Sequence, residues 1–382
     1  MKKNPNRLKT LRNILAIYIV LLLMVEGLGQ LTIRYLESRQ PSGLFAEEIL
    51  SYQEPVVGFA LRKNLNQKMG MWDVRTDELG LRNDIPLASP KPENEIRIFM
   101  VGGSTVFGWS MNSQDTIPGR LQKRLDQELN AHYGATNKKI RIINAGVPWY
   151  ASWHEAASIF FRVMDLKPDW IIVLDGLNDT ALSLTPSWTP LVRGFVDTPT
   201  RIAYEKRAAH ENFWLVRMLD LSPTFRYVHA RLKERAQLKA GVVHPKIWDQ
   251  YLGYAERISQ ITAAKNIRYS IFFQPVMLID KPLDPYEVDH NGTSMRESKF
   301  AANFREIYLM GERALLAHPT LRIKSLRSAF RKIGETIYLD GLHYNELGNA
   351  TLAEAIFQQE IAPNLPKMLQ RDPTIVAARN RM

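Results

Sequence analysis

Hydrophobic and polar positions change rhythm twice along this chain. Near the N-terminus, Ile14 to Val25 form an uninterrupted apolar run behind a basic leader. From about Arg34 to Asn94 no period holds, and Pro41, Pro55, Pro86, Pro90 and Pro92 interrupt the segment. Within it, Asp77-Glu78-Leu79-Gly80-Leu81-Arg82 reads as a turn followed by a short extended piece. From Glu95 onward, short apolar runs alternate with longer segments whose apolar residues recur every three or four positions.

The short runs predict strands at Ile96–Val101, Ile140–Ile143, Trp170–Leu174, Ile267–Phe273 and roughly Leu321–Lys324. Between them, Pro118 to Leu129 carries Leu121, Leu125 and Leu129 at helical spacing. The next helix opens on Ser152-Trp153-His154-Glu155, a capping-box pattern, and is expected to bury Ala156, Ile159, Phe160 and Val163. Further helices are expected over about Ile247–Ala264, about Lys299–Leu316, and from Asn345 through Ile356. This alternation predicts a doubly wound α/β domain, a mainly five-stranded parallel sheet flanked by helices. The stretch from Leu182 to about Val243 breaks the alternation and reads as an insertion, a lid or substrate-facing element.

Charge changes how the N-terminal run is understood. The chain has 382 residues and a net charge of +11. Lys2, Lys3, Arg7, Lys9 and Arg12 all precede the first acidic residue, Glu26, and a mildly basic tail carries Arg371, Arg379 and Arg381. With no nucleic-acid motif or basic helix, this pattern argues against nucleic acid and for a membrane. Extended through Glu26 to Ile33, the apolar run reaches the ~20 residues a bilayer requires. The expected organisation is a cytoplasmic leader (1–12), a transmembrane signal anchor (13–33), a juxtamembrane segment (34–94), the α/β domain (95–365, insertion about 182–243) and a basic C-terminal tail (366–382). A basic leader predicts a single-pass protein whose body lies outside the cytoplasm. A cleaved signal peptide, with Gly27-Leu28-Gly29 as its site, is the competing reading, and it exports the same body.

Composition narrows the chemistry. The chain has no cysteine, which removes disulfides, thiolate nucleophiles and cysteine metal sites together. No spacing suggests a metal site, and Gly102, Gly103 and Gly108 do not make a dinucleotide or phosphate fingerprint, so no cofactor is expected.

Four motifs fall after expected strands or before the last helix. Gly102-Gly103-Ser104 ends the first strand, where a parallel sheet delivers side chains to its C-terminal edge. Asn144-Ala145-Gly146-Val147-Pro148 follows the second, and Asp175-Gly176-Leu177-Asn178-Asp179 follows the third. Asp340-Gly341-Leu342-His343 precedes a helix that Asn345 can cap. A carboxylate three residues from an imidazole across a turn can fix its tautomer and stabilise the imidazolium. Together they supply the parts of an acyl-transfer site: Ser104 as nucleophile, His343 as general acid/base and Asp340 as its orienter. The Ser104 and Gly146 backbone N–H groups and the Asn178 side chain would form the oxyanion hole.

In order and spacing, these blocks resemble the Ser, Gly, Asn and His blocks of the SGNH, or GDSL-type, hydrolases, as in a membrane-anchored bacterial member. The match runs from about Glu95 to Pro363, and Gly103 stands where the family's Gly-Asp-Ser has its aspartate. The resemblance implies a flavodoxin-like sheet and a serine hydrolase acting on ester bonds. It would be held in the bacterial cytoplasmic (inner) membrane, with the catalytic domain on the periplasmic side. Trp109, Trp149, Tyr150 and Trp188 flank the expected site and could stack on sugar rings or line an acyl groove; packing beneath loops is the plainer alternative. Location and aromatics favour an O-acylated, chiefly O-acetylated, carbohydrate as substrate, with a lipid or lysophospholipid ester next. Transfer of the acyl group to a polysaccharide hydroxyl, and a catalytically silent envelope-binding protein, are the other readings.

Overall fold

The computed structural model describes residues 5–39, 50–54, 56–134, 137–184, 246–291 and 299–369, with isolated positions at 222, 224, 225 and 228. The expected insertion therefore lies almost wholly outside the described residues, as do Trp188 and the C-terminal tail from 370. Helix α1 (Pro5–Arg39) contains the stretch Arg12–Thr32, of mean hydropathy 2.2 and unburied within the protein. Among the described residues it is the one helix long and apolar enough to cross a membrane. A signal sequence has the same properties, so both readings of this segment stand.

Two antiparallel hairpins follow, β1 (Ser51–Glu54) with β2 (Gly58–Leu61), and β3 (Asn66–Met69) with β4 (Trp72–Arg75). The main sheet is parallel and has the order β6-β5-β7-β8-β9. Its strands are β5 (Glu95–Gly102), β6 (Lys139–Asn144), β7 (Trp170–Asp175), β8 (Arg268–Phe273) and β9 (Ile323–Ser325). All five expected strands are present. Their apolar runs are continuous because helices cover both faces: Ile98, Phe99, Met100 and Val101 of β5 are all fully buried.

Helices α2 (Ser104–Phe107) and α3 (Ile117–His132) follow β5, and α4 (Ser152–Ser158) follows β6. Helix α5 (Leu177–Leu184) follows β7 and leads, through the segment outside the described residues, to α6 (Ile247–Ala264). Further helices include α7 (Pro285–Asn291), α8 (Lys299–Leu316) and α9 (Glu346–Ile356). Strand β6 lies on one side of β5 and β7 on the other, so the chain reverses direction across the sheet. Right-handed crossovers then put the connecting helices on opposite faces. Accordingly α3 packs with α9, while α4 packs with α6 and α6 with α8. The reversal leaves a crevice at the C-terminal ends of β5 and β7, the switch point where open sheets of this order bind ligands.

Local capping differs from expectation at one place. Ser152 does not cap α4: Ala151 holds that position and Ser152 lies inside the first turn. The buried Asp179 carboxylate draws Ser152 inward instead, accepting its hydroxyl at 2.6 Å and its N–H at 3.2 Å. At α3, Thr116 caps as such a residue should, its Oγ1 accepting the Gly119 N–H at 3.1 Å.

The segment before the main sheet packs against the nucleophile turn. Leu50, Leu61, Met69, Trp72 and Val74 share one apolar cluster with Phe107, Val147 and Tyr150. Arg82 enters beside them, only 2 % exposed. Its guanidinium donates to the carbonyls of Phe107 (2.7 Å), Gly108 (2.8 Å), Asp73 (3.2 Å) and Met111, and lies over the Phe107 ring. Burial pulls its pKa down to about 9. A buried cation surrounded by carbonyl oxygens fixes the backbone immediately after Ser104.

Candidate functional site

Ser104 opens the short helix α2 at the end of β5, with Gly103 before it in extended conformation. His343 and Asp340 arrive on the turn before α9, which Asn345 caps through the Gly348 N–H at 3.0 Å. Although 239 residues apart in sequence, His343 Nε2 and Ser104 Oγ are 2.8 Å apart. On the other edge of the ring, His343 Nδ1 is 2.6 Å from Asp340 Oδ2. Asp340 Oδ1 accepts the Leu342 and His343 N–H groups, both at 2.7 Å, which fixes the carboxyl in the turn.

Proton positions follow from these partners. Burial raises the Asp340 carboxyl, but His343 and the two backbone N–H groups outweigh it and hold its pKa below the usual carboxylate value. A carboxylate only accepts, so Nδ1 carries the proton and donates to Asp340. Nε2 then accepts from the Ser104 hydroxyl, the tautomer a general base needs. The Trp109 ring lies near-parallel to His343, 25° between planes and 5.8 Å between centroids, and limits how far the imidazole can tilt.

Asn178 lies in the first turn of α5, beyond β7. One of its amide hydrogens is donated to the Tyr150 carbonyl at 2.7 Å. The Ser104 N–H, at the first position of α2, lacks an intrahelical partner by geometry. A Cβ on Gly103 would stand 2.6 Å from Asn178 Nδ2 and 3.2 Å from the Tyr150 oxygen. This explains locally why glycine, not aspartate, precedes the serine here. Gly103→Ala is expected to push the Asn178 amide aside and lower kcat by roughly 10–100-fold, the scale of an impaired oxyanion donor. Steady-state kinetics beside a thermal melt checks it; unchanged kcat would show that the amide has no such role.

Two expected site residues are placed otherwise. The Gly146 N–H does not face the serine; it donates to Asn144 Oδ1 at 3.0 Å, while Asn144 Nδ2 donates to the Phe107 carbonyl at 3.1 Å. Glycine is needed there because a Cβ would lie 2.3 Å from the Phe107 nitrogen, so this loop and α2 pack backbone to backbone. Tyr150 is not available to stack on a substrate. Its ring is fully buried, stacked on His154 with 10° between planes, and its hydroxyl donates to the Phe59 carbonyl at 2.8 Å. Trp149 is half-buried and has φ of +71°, a conformation that costs a bulky residue on the order of 1–3 kcal/mol. Trp109 lies at the site as the wall behind His343.

A set of buried acids with no signature of its own in the sequence lies beneath the site. Glu155, Asp175 and Asp179 are 2 %, 4 % and 0 % exposed. Burial raises all three: Glu155 well above the ordinary range, Asp175 to about 6 and Asp179 to about 7. Asp175 Oδ1 also accepts the Tyr251 hydroxyl at 2.6 Å. The native state thus holds protons that an unfolded chain releases from about pH 4 upward. Stability should fall as pH rises from about 4 through 7, by on the order of 3 kcal/mol for each group so raised. Urea unfolding across that range checks the sign, and Asp179→Asn should flatten the slope; stability that rises over the window would overturn it. The motif around Asn178 contained two of these acids, but only tertiary packing shows that Glu155 joins them.

No protein family profile matches this chain, and no curated protein matches it. Solved structures do. One is an acetyl xylan esterase, 12% identical, covering 69% of this chain and 100% of its own, with a TM-score of 0.39. Another is Est24, a carbohydrate acetylesterase from Sinorhizobium meliloti, 12% identical over 70% of this chain and 99% of its own, TM-score 0.38. The lipase/acylhydrolase from Enterococcus faecalis is 14% identical over 69% of this chain and 96% of its own, TM-score 0.37.

Proposed function

We propose that this chain is a serine esterase of the SGNH, or GDSL, type, with Ser104, His343 and Asp340 as its catalytic triad. The observation that carries the reading is the unbroken hydrogen-bond relay from Ser104 Oγ through His343 to Asp340, at 2.8 and 2.6 Å.

Chemistry follows from that relay. As Ser104 Oγ attacks the ester carbonyl, its proton passes to His343 Nε2, and Asp340 stabilises the imidazolium. Negative charge gathers on the former carbonyl oxygen, where the Ser104 N–H and the second Asn178 amide hydrogen can meet it. Collapse of the tetrahedral intermediate breaks the C–O bond, and His343 returns its proton to the departing alkoxide. Water then attacks the acyl-enzyme and gives a proton to His343. The acid leaves as Ser104 Oγ recovers its hydrogen.

The substrate we infer is an acyl ester, foremost an O-acetyl ester, on a carbohydrate outside the cytoplasm. Two features support it: the basic residues ahead of the apolar stretch of α1, which orient an anchored body outward, and Trp109 against the Ser104–His343 pair. An α1 that spans the bacterial cytoplasmic membrane would hold the domain near envelope polysaccharide.

Purified full-length protein in detergent, given a short-chain aryl acetate and a serine-reactive fluorophosphonate, tests the reading. Acetate release and labelling of Ser104 are expected. Absence of both sinks it. Product analysis with acetylated oligosaccharides, with and without an acceptor sugar, then separates hydrolysis from transfer.

A further inference from the structure

The reaction uses Ser104, His343, Asp340 and Asn178 and leaves the buried Gln274 without a task. Gln274 is the first residue beyond β8, at the C-terminal edge of the sheet. It is only 3 % exposed and held from several sides. Its N–H donates to the Asp175 carbonyl at 3.1 Å, its carbonyl accepts the Tyr308 hydroxyl, and its Oε1 accepts the Thr105 hydroxyl at 3.1 Å. Nε2, by contrast, has no hydrogen-bond partner among the described residues.

Gln274 itself borders a recess beside the nucleophile. Ser104, Thr105, Asp175, Asn178, Gln274 and Leu342 are among its walls. It has room for about one water-sized group. A buried N–H is costly when water is taken from it and no acceptor replaces it. Asp175 is another polar residue among the walls of the recess.

We propose that Gln274 is the acyl-specificity residue of this site: its carboxamide makes the recess beside Ser104 a polar pocket that admits a two-carbon acyl group and rejects longer alkyl chains. The inference rests on the esterase reading. An acetyl methyl fits the space of one water-sized group. A butyryl or hexanoyl chain must lay methylenes against polar walls, Gln274 and Asp175 among them, and displace water from the recess. Removing a hydrogen bond from a buried polar group in this way costs roughly 5–100-fold in kcat/KM. Volume alone would reject long chains too, so the two causes must be separated by changing polarity at constant length.

Aryl acetate, butyrate and hexanoate are compared with wild type, Gln274→Met, Gln274→Glu and Thr105→Val. Wild type should favour acetate over butyrate by about 10-fold or more in kcat/KM. Gln274→Met, unbranched and apolar, should raise the butyrate-to-acetate ratio by about 10-fold, and Gln274→Glu should leave it near wild type. Thr105→Val, which frees the carboxamide from its anchor, should shift the ratio the same way by less. Melting curves establish that each variant is folded; if Gln274→Met is not, Thr105→Val and the wild-type preference decide. A wild type that prefers butyrate, or a Gln274→Met ratio within about twofold of wild type, overturns the proposal. If wild type cleaves no ester of any length, it is the esterase reading that fails.

Discussion

Replacing Ser104 with alanine should lower kcat for an aryl acetate by about 10⁴–10⁶-fold, and adding His343→Ala should lower it no further. The lack of additivity is the informative part. His343 Nε2 accepts the Ser104 proton at 2.8 Å, so without the hydroxyl it has no proton to take. Each single variant removes the same step. Asp340→Asn should retain more activity than either, because an asparagine oxygen can still accept the Leu342 and His343 N–H groups. Its loss should come from the ring, which would no longer be held with Nδ1 protonated. Burst and steady-state kinetics on the three single variants and the Ser104/His343 double variant check this. A double variant much slower than either single would mean that the two residues act on separate steps.

Glu287→Ala should destabilise the fold by about 3–5 kcal/mol, although Glu287 is far from the serine in sequence and touches no substrate group. Its side chain is fully buried. Oε2 accepts Lys281 Nζ at 2.7 Å, and Oε1 accepts the Ile337 and Tyr338 N–H groups at 2.8 and 3.0 Å. Alanine would leave a buried ammonium with the Glu335 carbonyl at 2.9 Å and the Asp284 carboxylate at 3.9 Å, and would take the acceptor from the Asp284, Ile337 and Tyr338 N–H groups. Tyr338 bridges to Tyr344, and the turn between them carries Asp340 and His343. Activity should therefore be lost below the melting temperature as well as with it. Glu287→Gln keeps one acceptor for the backbone pair and should cost less. Thermal and urea unfolding of both variants measure the effect; a loss under about 1 kcal/mol for alanine would show that Glu287 does not hold this turn.

How much of the site could be read in the chain depends on which residues are considered. Ser104, Asn178, Asp340 and His343 were legible because each lies within a few residues of an element boundary that apolar periodicity marks. A side chain at the end of a parallel strand must emerge at one edge of the sheet. Gly146 was misread because a glycine after a strand has the same sequence signature whether its N–H serves a ligand or a neighbouring Asn144. Tyr150 stood between two uses for a related reason: nothing local distinguishes a ring over a substrate from one stacked on His154 in the core, and packing, the plainer of the two, is what it does. Gln274 left only a faint sign, a polar residue directly after an apolar strand.

Apolar patterning alone specified the sheet. Five apolar runs separated by helical periodicity, with the polar motifs after them, admit few arrangements other than a doubly wound fold, since covered strands must be apolar on both faces. The sequence also determined which residue types were available for acyl transfer. Tertiary structure decided what each available group does. Arg82, Glu287 and the Glu155–Asp175–Asp179 set act through contacts between segments far apart in the chain, and a buried charge is interpretable only once its neighbours are known. The same holds for the orphaned amide of Gln274, whose meaning depends on the recess beside Ser104. Periodicity records which face of an element is buried; it does not record what that face meets.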